Sequence, residues 1–181
     1  MTKTNLTDRI AIPDDCADLK VVMEASINEL QKPFLSPQQI EASWLFMGID
    51  TQLIEDGTYF IIECKGQIAG CGGWSFRETL YGGDNAAGRS AAHLDPKCQA
   101  AKIRAMYTHP DFTRRGVGKL IIALCEEAAR KAGFQRAEMM ATLAGVPLYQ
   151  SCGYEVIEHI EEKQGEVPVP LIRMGKTLDK A

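Results

Sequence analysis

One segment constrains the fold of this chain more than any other, namely DFTRRGVGKLIIALCEEAARKAGF at residues 111–134. It places a basic turn with two glycines directly before a long amphipathic pattern, whose apolar face is formed by Val117, Leu120, Ile121, Leu124, Ala128 and Ala132. A strand pattern, AKIRAMYT, precedes the turn, and another, RAEMMAT, follows Gly133. Residues 102–141 are therefore predicted to form a right-handed β-α-β unit with parallel strands.

The remaining patterns predict a mixed α/β fold. We expect one domain over residues 1–181, with the element order β-α-α-β-β-β-α-β-α-β-β. TYFIIEC and QIAGCGGW, separated by Lys65-Gly66, indicate a hairpin, and the first helices are predicted over 14–30 and 36–46. The polar, glycine-rich insertion at 78–101 is long for a loop in a compact domain, so it is either functional or disordered.

Charge and hydropathy narrow the class of partner. The chain has a net charge of -4 and 24% charged residues, so a general nucleic-acid surface is not expected. The first residues lack the apolar core of a signal peptide, and no apolar run approaches the ~20 residues that cross a bilayer. We therefore expect a cytoplasmic protein that contacts neither nucleic acid nor membrane.

The cysteines and histidines do not indicate a metal or a disulfide framework. The six cysteines are scattered without a CxxC pair, and several lie in apolar runs typical of reduced core residues. The three histidines lack the spacing of metal ligands. No metal is expected.

The glycines before the helix suggest two nucleotide-binding loops, and the sequence excludes both. A P-loop aligned on Gly118-Lys119 would place Thr113 at the first glycine and Leu120 at the magnesium-binding hydroxyl. A dinucleotide fingerprint aligned on Gly116 and Gly118 would place Ile121 at its third glycine.

Two interpretations of the turn remain open from the residues alone. The exposed N–H groups and the dipole of a helix N-terminus favour an anion, and Arg114, Arg115 and Lys119 add positive charge. Alternatively, Gly116 only begins the helix and the arginines are solvated.

Two segments together resemble motifs of the GNAT superfamily of N-acetyltransferases. IRAMYTHPDFTRRGVGKLI resembles motif A, which here covers about residues 102–133, and ATLAGVPLYQSCGYEV resembles motif B, at about 136–158. The element order matches as well, so the resemblance covers nearly the whole chain. Thr113 departs from the Gln or Arg that the superfamily prefers, and Ala144 stands where many members carry Asn.

The resemblance implies that acetyl-CoA is the acyl donor. Its pyrophosphate would lie on the backbone N–H groups of Arg114, Arg115, Gly116, Val117, Gly118 and Lys119. The strand before the turn would pair with the pantetheine arm through the backbone of Met106, Tyr107 and Thr108. An N–H group near Met106 would also polarise the thioester carbonyl.

Tyr149 is the candidate general acid that the resemblance implies. A tyrosine, with a pKa of about 10, stays protonated at neutral pH and can donate a proton to the departing thiolate. The alternative is a packed aromatic residue, which is what we expect of Tyr154. No general base is evident, because surface carboxylates are the more ordinary interpretation of all four candidates: Glu29, Glu78, Asp84 and Glu138.

The acceptor is expected to be a small-molecule amine or a peptide amino group. By the resemblance it binds near the first two helices, where Phe34, Trp74 and Arg77 are candidate contacts. The final segment, VPVPLIRMGKTL, could pair with a second subunit in a homodimer. A catalytically silent CoA-binding or sensor module on the same fold is the alternative function.

Overall fold

A seven-stranded mixed sheet organises the structure, which is a computed structural model describing residues 5–178. The strands lie in the order β1-β2-β3-β4-β5-β7-β6, and only the pair β4–β5 is parallel. Their bounds are β1 Leu6–Ile10, β2 Tyr59–Cys64, β3 Gln67–Ser75, β4 Ala101–Thr108, β5 Arg136–Thr142, β6 Glu155–Glu162 and β7 Val169–Thr177.

Helices cover both faces of the sheet. The helices are α1 Cys16–Leu30, α2 Pro37–Ser43, α3 Thr51–Glu55, α4 Val117–Lys131 and α5 Val146–Ser151. Ile61 and Ile62 are neighbours on β2, yet Ile61 packs in the cluster with α1 and Ile62 in the cluster with α4. This division follows from the strand geometry, because successive side chains of a strand point to opposite faces.

The predicted mixed α/β class is confirmed, and its element order needs one addition. The helix α3, Thr51–Glu55, has a single turn and is too short for helical periodicity to show in the sequence. The first strand covers Leu6–Ile10, and α2 ends at Ser43 rather than at residue 46. No helix within the described residues is long and apolar enough to span a bilayer.

The prediction that the final segment pairs with a second subunit is wrong. This segment forms β7, which lies between β5 and β6 and is paired along both of its edges. Its backbone hydrogen-bonding groups are therefore used within the sheet, and the edge strands are β1 and β6.

The insertion at 78–101 folds back on itself. Glu78 N donates to Ala92 O at 2.9 Å, and Thr79 Oγ1 donates to Ser90 O at 2.8 Å. Arg89 Nη2 also donates to Asp50 Oδ1 at 2.8 Å. Hydrogen bonds within the insertion and to Asp50 therefore order a segment that has the composition of a loop.

A wedge opens in the middle of the sheet between β4 and β5. The two strands pair only from Ala101 to Ile103, whereas β5 continues to pair with β7 through Thr142. Ala105 has a φ of 51°, and the register of β4 against β3 shifts beside it, which defines a β-bulge. The backbone of 104–108 is consequently not paired with β5 and borders an open space.

Two glycines of β3 bring α4 close to this wedge. A Cβ atom at Gly70 would lie 2.6 Å from Val117 Cγ1, and one at Gly72 would lie 2.7 Å from Ile121 Cγ2. Any larger residue would push α4 away from the sheet. The glycines therefore fix the N-terminus of α4 beside the open end of the wedge.

Candidate active site

The wedge continues into a cleft of about 770 Å³. The cleft extends from the start of α4, along β4, to the end of α1 and the loops near residues 46–48 and 80–83. Ten of the residues predicted for cofactor, acceptor or proton transfer line it: Phe34, Met106, Tyr107, Thr108, Arg114, Gly116, Val117, Gly118, Lys119 and Tyr149. One continuous cavity thus brings together residues from both sequence motifs.

The turn before α4 presents backbone donors. His109 Nδ1 accepts from Asp111 N at 3.2 Å, and left-handed conformations at Arg114 (φ 63°) and Gly116 (φ 88°) then redirect the chain into the helix. Within residues 5–178, the backbone N–H groups of 114–119 have no hydrogen-bond acceptor. Free N–H groups at the positive end of a 15-residue helix favour a bound phosphate.

The two glycines of the turn serve different purposes. Gly116 adopts a φ of 88° in open space, so its lack of a side chain serves the backbone conformation. Gly118 faces α5 instead, because a Cβ atom there would lie 2.5 Å from Leu148 Cδ2. The GxG spacing therefore combines one conformational requirement with one packing requirement.

The predicted basic side chains separate into two groups. Arg114 and Lys119 line the cleft. Arg115 does not, and its guanidinium lies 5.3 Å from the centre of the Phe112 ring in a cation–π contact. At position 115 only the backbone N–H remains a candidate phosphate contact.

Tyr149 lies on α5 with its side chain largely buried and its ring beside that of Tyr154, at 6.4 Å between centroids. Its hydroxyl makes no hydrogen bond to another residue of the described chain. Burial is the main cause that raises the pKa of Tyr149 above its ordinary value. The phenol therefore stays protonated in the cleft, and its donor is free for a ligand.

The structure does not bring Trp74 and Arg77 to the cleft. Trp74 is 6% exposed and packs against Phe76 and Phe134, with ring centroids 5.9 and 6.0 Å away. Arg77 is paired with Asp56 at 2.7 Å and donates to Ala91 O at 2.8 Å. Core packing and an ion pair occupy these two side chains, and Phe34 alone of the predicted acceptor contacts lines the cavity.

The four candidate bases are all held elsewhere. Glu29 pairs with Lys32, Glu78 accepts from Ser90 Oγ, Asp84 accepts from Thr51 N, and Glu138 pairs with Lys102 and Arg173. Among residues 5–178, no Asp or Glu lines the cleft.

Sequence reasoning missed Tyr81 and its partner. Tyr81 lines the cleft and donates a hydrogen bond through its hydroxyl to the carboxylate of Glu162 on β6. Burial and Glu162 together raise the pKa of Tyr81 to about 12. The two residues are 81 positions apart in the sequence, so no local pattern could have paired them.

Sequence reasoning also missed Arg104, the first residue of β4 beyond its pairing with β5. Arg104 lines the cleft although its side chain is only 2% exposed. It lies 2.6 Å from Asp50, which is equally buried. An alternating strand pattern could have marked a charged residue here, but not the partner 54 positions earlier.

The described part of the chain contains no cluster of three or more His, Cys, Asp or Glu that could hold a metal ion.

Comparison with known proteins identifies the family. The family model of the acetyltransferase (GNAT) family matches residues 23–154, which is well over half of the chain. The chain therefore belongs to the acetyltransferase (GNAT) family, and it is an acyltransferase. No curated protein sequence matches it.

Solved structures share the fold at low sequence identity. A GCN5-related N-acetyltransferase from Rhodopseudomonas palustris is 20% identical with a TM-score of 0.71, over 98% of this chain and 99% of that one. The PaiA N-acetyltransferase of Thermoplasma acidophilum, in complex with coenzyme A, is 14% identical with a TM-score of 0.63, over 96% and 99%. YncA of Salmonella typhimurium, solved with acetyl-CoA, is 17% identical with a TM-score of 0.64, over 98% and 96%.

Proposed function

We propose that this protein is an N-acetyltransferase that transfers the acetyl group of acetyl-CoA to the amino group of a small molecule. Bound acetyl-CoA supplies an activated acetyl thioester and a thiolate leaving group. One observation carries the proposal: a single cleft is lined by Arg114 and residues 116–119 of the turn, by the edge of 104–108 that is not paired with β5, and by Tyr149. The acetyl-CoA and coenzyme A complexes of YncA and PaiA, which share the fold, support the same donor.

The cleft residues fit the donor in order along its length. The N–H groups of 114–119 bind the pyrophosphate, with Arg114 and Lys119 adding charge. The edge of β4 that β5 leaves unpaired at Met106, Tyr107 and Thr108 holds the pantetheine arm as an added strand would, and the N–H near Met106 polarises the acetyl carbonyl.

Tyr149 holds the proton for the departing sulfur. An ordinary thiol has a pKa of about 8.5, so a buried phenol is the weaker acid of the two. Complete transfer from Tyr149 to a free thiolate is therefore unfavourable by itself. Its contribution is a hydrogen bond to sulfur as negative charge develops, followed by proton transfer to sulfur, after which Tyr149 regains a proton from water.

The acceptor amine must also lose a proton as it attacks the acetyl carbon. Since no carboxylate lines the cleft in the described chain, we infer that Tyr81 accepts the proton while it passes its own to Glu162. The hydroxyl exchanges one proton for another and remains neutral, which the raised pKa of Tyr81 requires.

A screen of amines with acetyl-CoA, with thiol release as the readout, tests the proposed function. Wild-type protein should release thiol with at least one amine, and Tyr149→Phe should lower kcat by roughly 10²- to 10⁴-fold. Calorimetry with acetyl-CoA distinguishes the proposed enzyme from the alternative, a catalytically silent CoA-binding module. Binding without thiol release for any amine would identify a catalytically silent module, and absence of binding would overturn both.

A further inference from the structure

The guanidinium of Arg104 is a buried cation with incomplete local compensation. Its Nη2 donates to Gly82 O and lies 2.6 Å from Asp50 Oδ2. Its Nε and Nη1 have no hydrogen-bond acceptor among residues 5–178, and Nε is fully buried. Buried polar groups are normally hydrogen-bonded, so the unused donors of Nη1, which is not enclosed as Nε is, are available to a further acceptor.

Arg104 shares its one fully buried counter-charge with a second arginine. Asp50 is shared, because Arg89 also binds it at 2.8 Å. The next carboxylate, Asp84, is 3.6 Å from Arg89 and one-third exposed, so water weakens its effect. Burial lowers the pKa of the Arg104 guanidinium, Asp50 opposes that effect and the nearby Arg89 adds to it. Two guanidiniums therefore share one fully buried carboxylate.

Arg104 lies at the end of the cleft opposite the turn proposed to bind the pyrophosphate. It follows Ile103, where the pairing of β4 and β5 ends, and so lies at the closed end of the wedge. The N–H groups of 114–119 lie at the opposite end. A smaller cavity of about 120 Å³, which Arg104 also lines, contains Arg77 and Arg89, and these two arginines are ion-paired with Asp56 and Asp50.

We propose that Arg104 binds a carboxylate of the acceptor, so that the substrate is an amine that also carries an acid group, as amino acids do. This inference rests on the proposed function. A carboxylate accepts N–H groups of a guanidinium in charge-assisted hydrogen bonds, for which Nη1 is free, and it supplies the negative charge that Asp50 provides only in part. No acidic residue lines the described cleft to repel such a group.

The test compares amino acids with analogues in which the carboxylate is replaced by an uncharged carboxamide. Leucine, phenylalanine, serine and lysine are each paired with their carboxamides, which keep the amine and the shape but lose the acid. In wild-type protein, the carboxylate member of at least one pair should have a KM about 10- to 100-fold lower than its amide. Calorimetry in the presence of CoA should show the same preference in binding, independently of turnover.

Variants then assign the preference to Arg104. Arg104→Gln should reduce the ratio of carboxylate to amide affinity to near one, and Arg104→Lys, which keeps the charge beside Asp50, should retain part of it. Arg9→Gln removes an arginine ion-paired on β1 and should leave the ratio unchanged. A structural role would lower the affinities for acid and amide equally.

Failure of the role of Arg104 and failure of the proposed function give different experimental results. If amines are acetylated but acids and amides bind equally well throughout the panel, the role of Arg104 is wrong and the proposed function stands. If acetyl-CoA does not bind, the proposed function itself is wrong. A carboxylate preference that persists in Arg104→Gln also overturns the inference.

Discussion

The ring of Tyr149 lies against the α-carbon of Gly145, so that a Cβ atom at position 145 would lie 2.6 Å from Cε2 and 3.3 Å from the hydroxyl oxygen. Gly145, which directly precedes α5, thus leaves the space that the ring of the proposed proton donor occupies. Its φ is -82°, which any residue can adopt, so the requirement for glycine is steric and not conformational.

Gly145→Ala should displace the Tyr149 ring and lower kcat by roughly 10²-fold, because small misplacements of a catalytic group have effects of that size. The dissociation constant of acetyl-CoA, measured by calorimetry, should change little. In a Tyr149→Phe background the same substitution should lower kcat only slightly further, since both changes act on one hydroxyl. Additive losses in the double variant would contradict this positioning role.

Gly116→Ala should weaken acetyl-CoA binding. The substitution forces an alanine to a φ of 88°, at a cost of about 1–2 kcal/mol, or it changes the turn that aligns the N–H groups. Calorimetry of acetyl-CoA binding is the measurement.

Gly57→Ala is the matched control for this variant. Gly57 also has a positive φ, of 69°, with nothing within 4 Å of its Cβ position, and it does not line the cleft. Both variants should lose similar unfolding free energy, but only Gly116→Ala should lose affinity for acetyl-CoA. Equal affinities in the two variants would argue that 116 has no part in phosphate binding.

The contribution of Tyr149 should not depend on pH across the ordinary assay range. Because burial raises the pKa of this phenol above its usual value of about 10, it remains protonated at every lower pH. Acceptor amines lose their proton as pH rises, so kcat/KM should increase with pH in both wild type and Tyr149→Phe. The ratio of the two rates should stay constant from about pH 7 to 9.5. A ratio that falls over this interval would show that Tyr149 loses its proton there.

Tyr81→Phe and Glu162→Gln should each lower kcat/KM for the amine, by about 10- to 100-fold, and leave acetyl-CoA binding intact. Both substitutions keep the shape of the side chain and remove the proton path. If the two residues act as one relay, the double variant should be no slower than the slower single variant. Losses that multiply, or an unchanged rate in Glu162→Gln, would exclude the relay.

The sequence by itself determined the parts of this protein that depend on local pattern. The strand, basic turn and amphipathic helix at 102–133 follow from periodicity and from the positions of Gly116 and Gly133, because helix ends and tight turns need particular residue types. The mixed α/β class follows from the order of these patterns. Excluding two nucleotide loops required only the identities of Thr113, Leu120 and Ile121.

Only the tertiary structure decided what each side chain of the cleft contacts. Trp74 resembles a pocket wall in the sequence, but the alternation of β3 directs it into the core with Phe134. Arg104 meets Asp50 across the fold, and the insertion at 78–101 brings Gly82 to Arg104 and Tyr81 to Glu162. Such pairs are set by long-range packing, since groups more than fifty residues apart leave no periodic signal in a single chain.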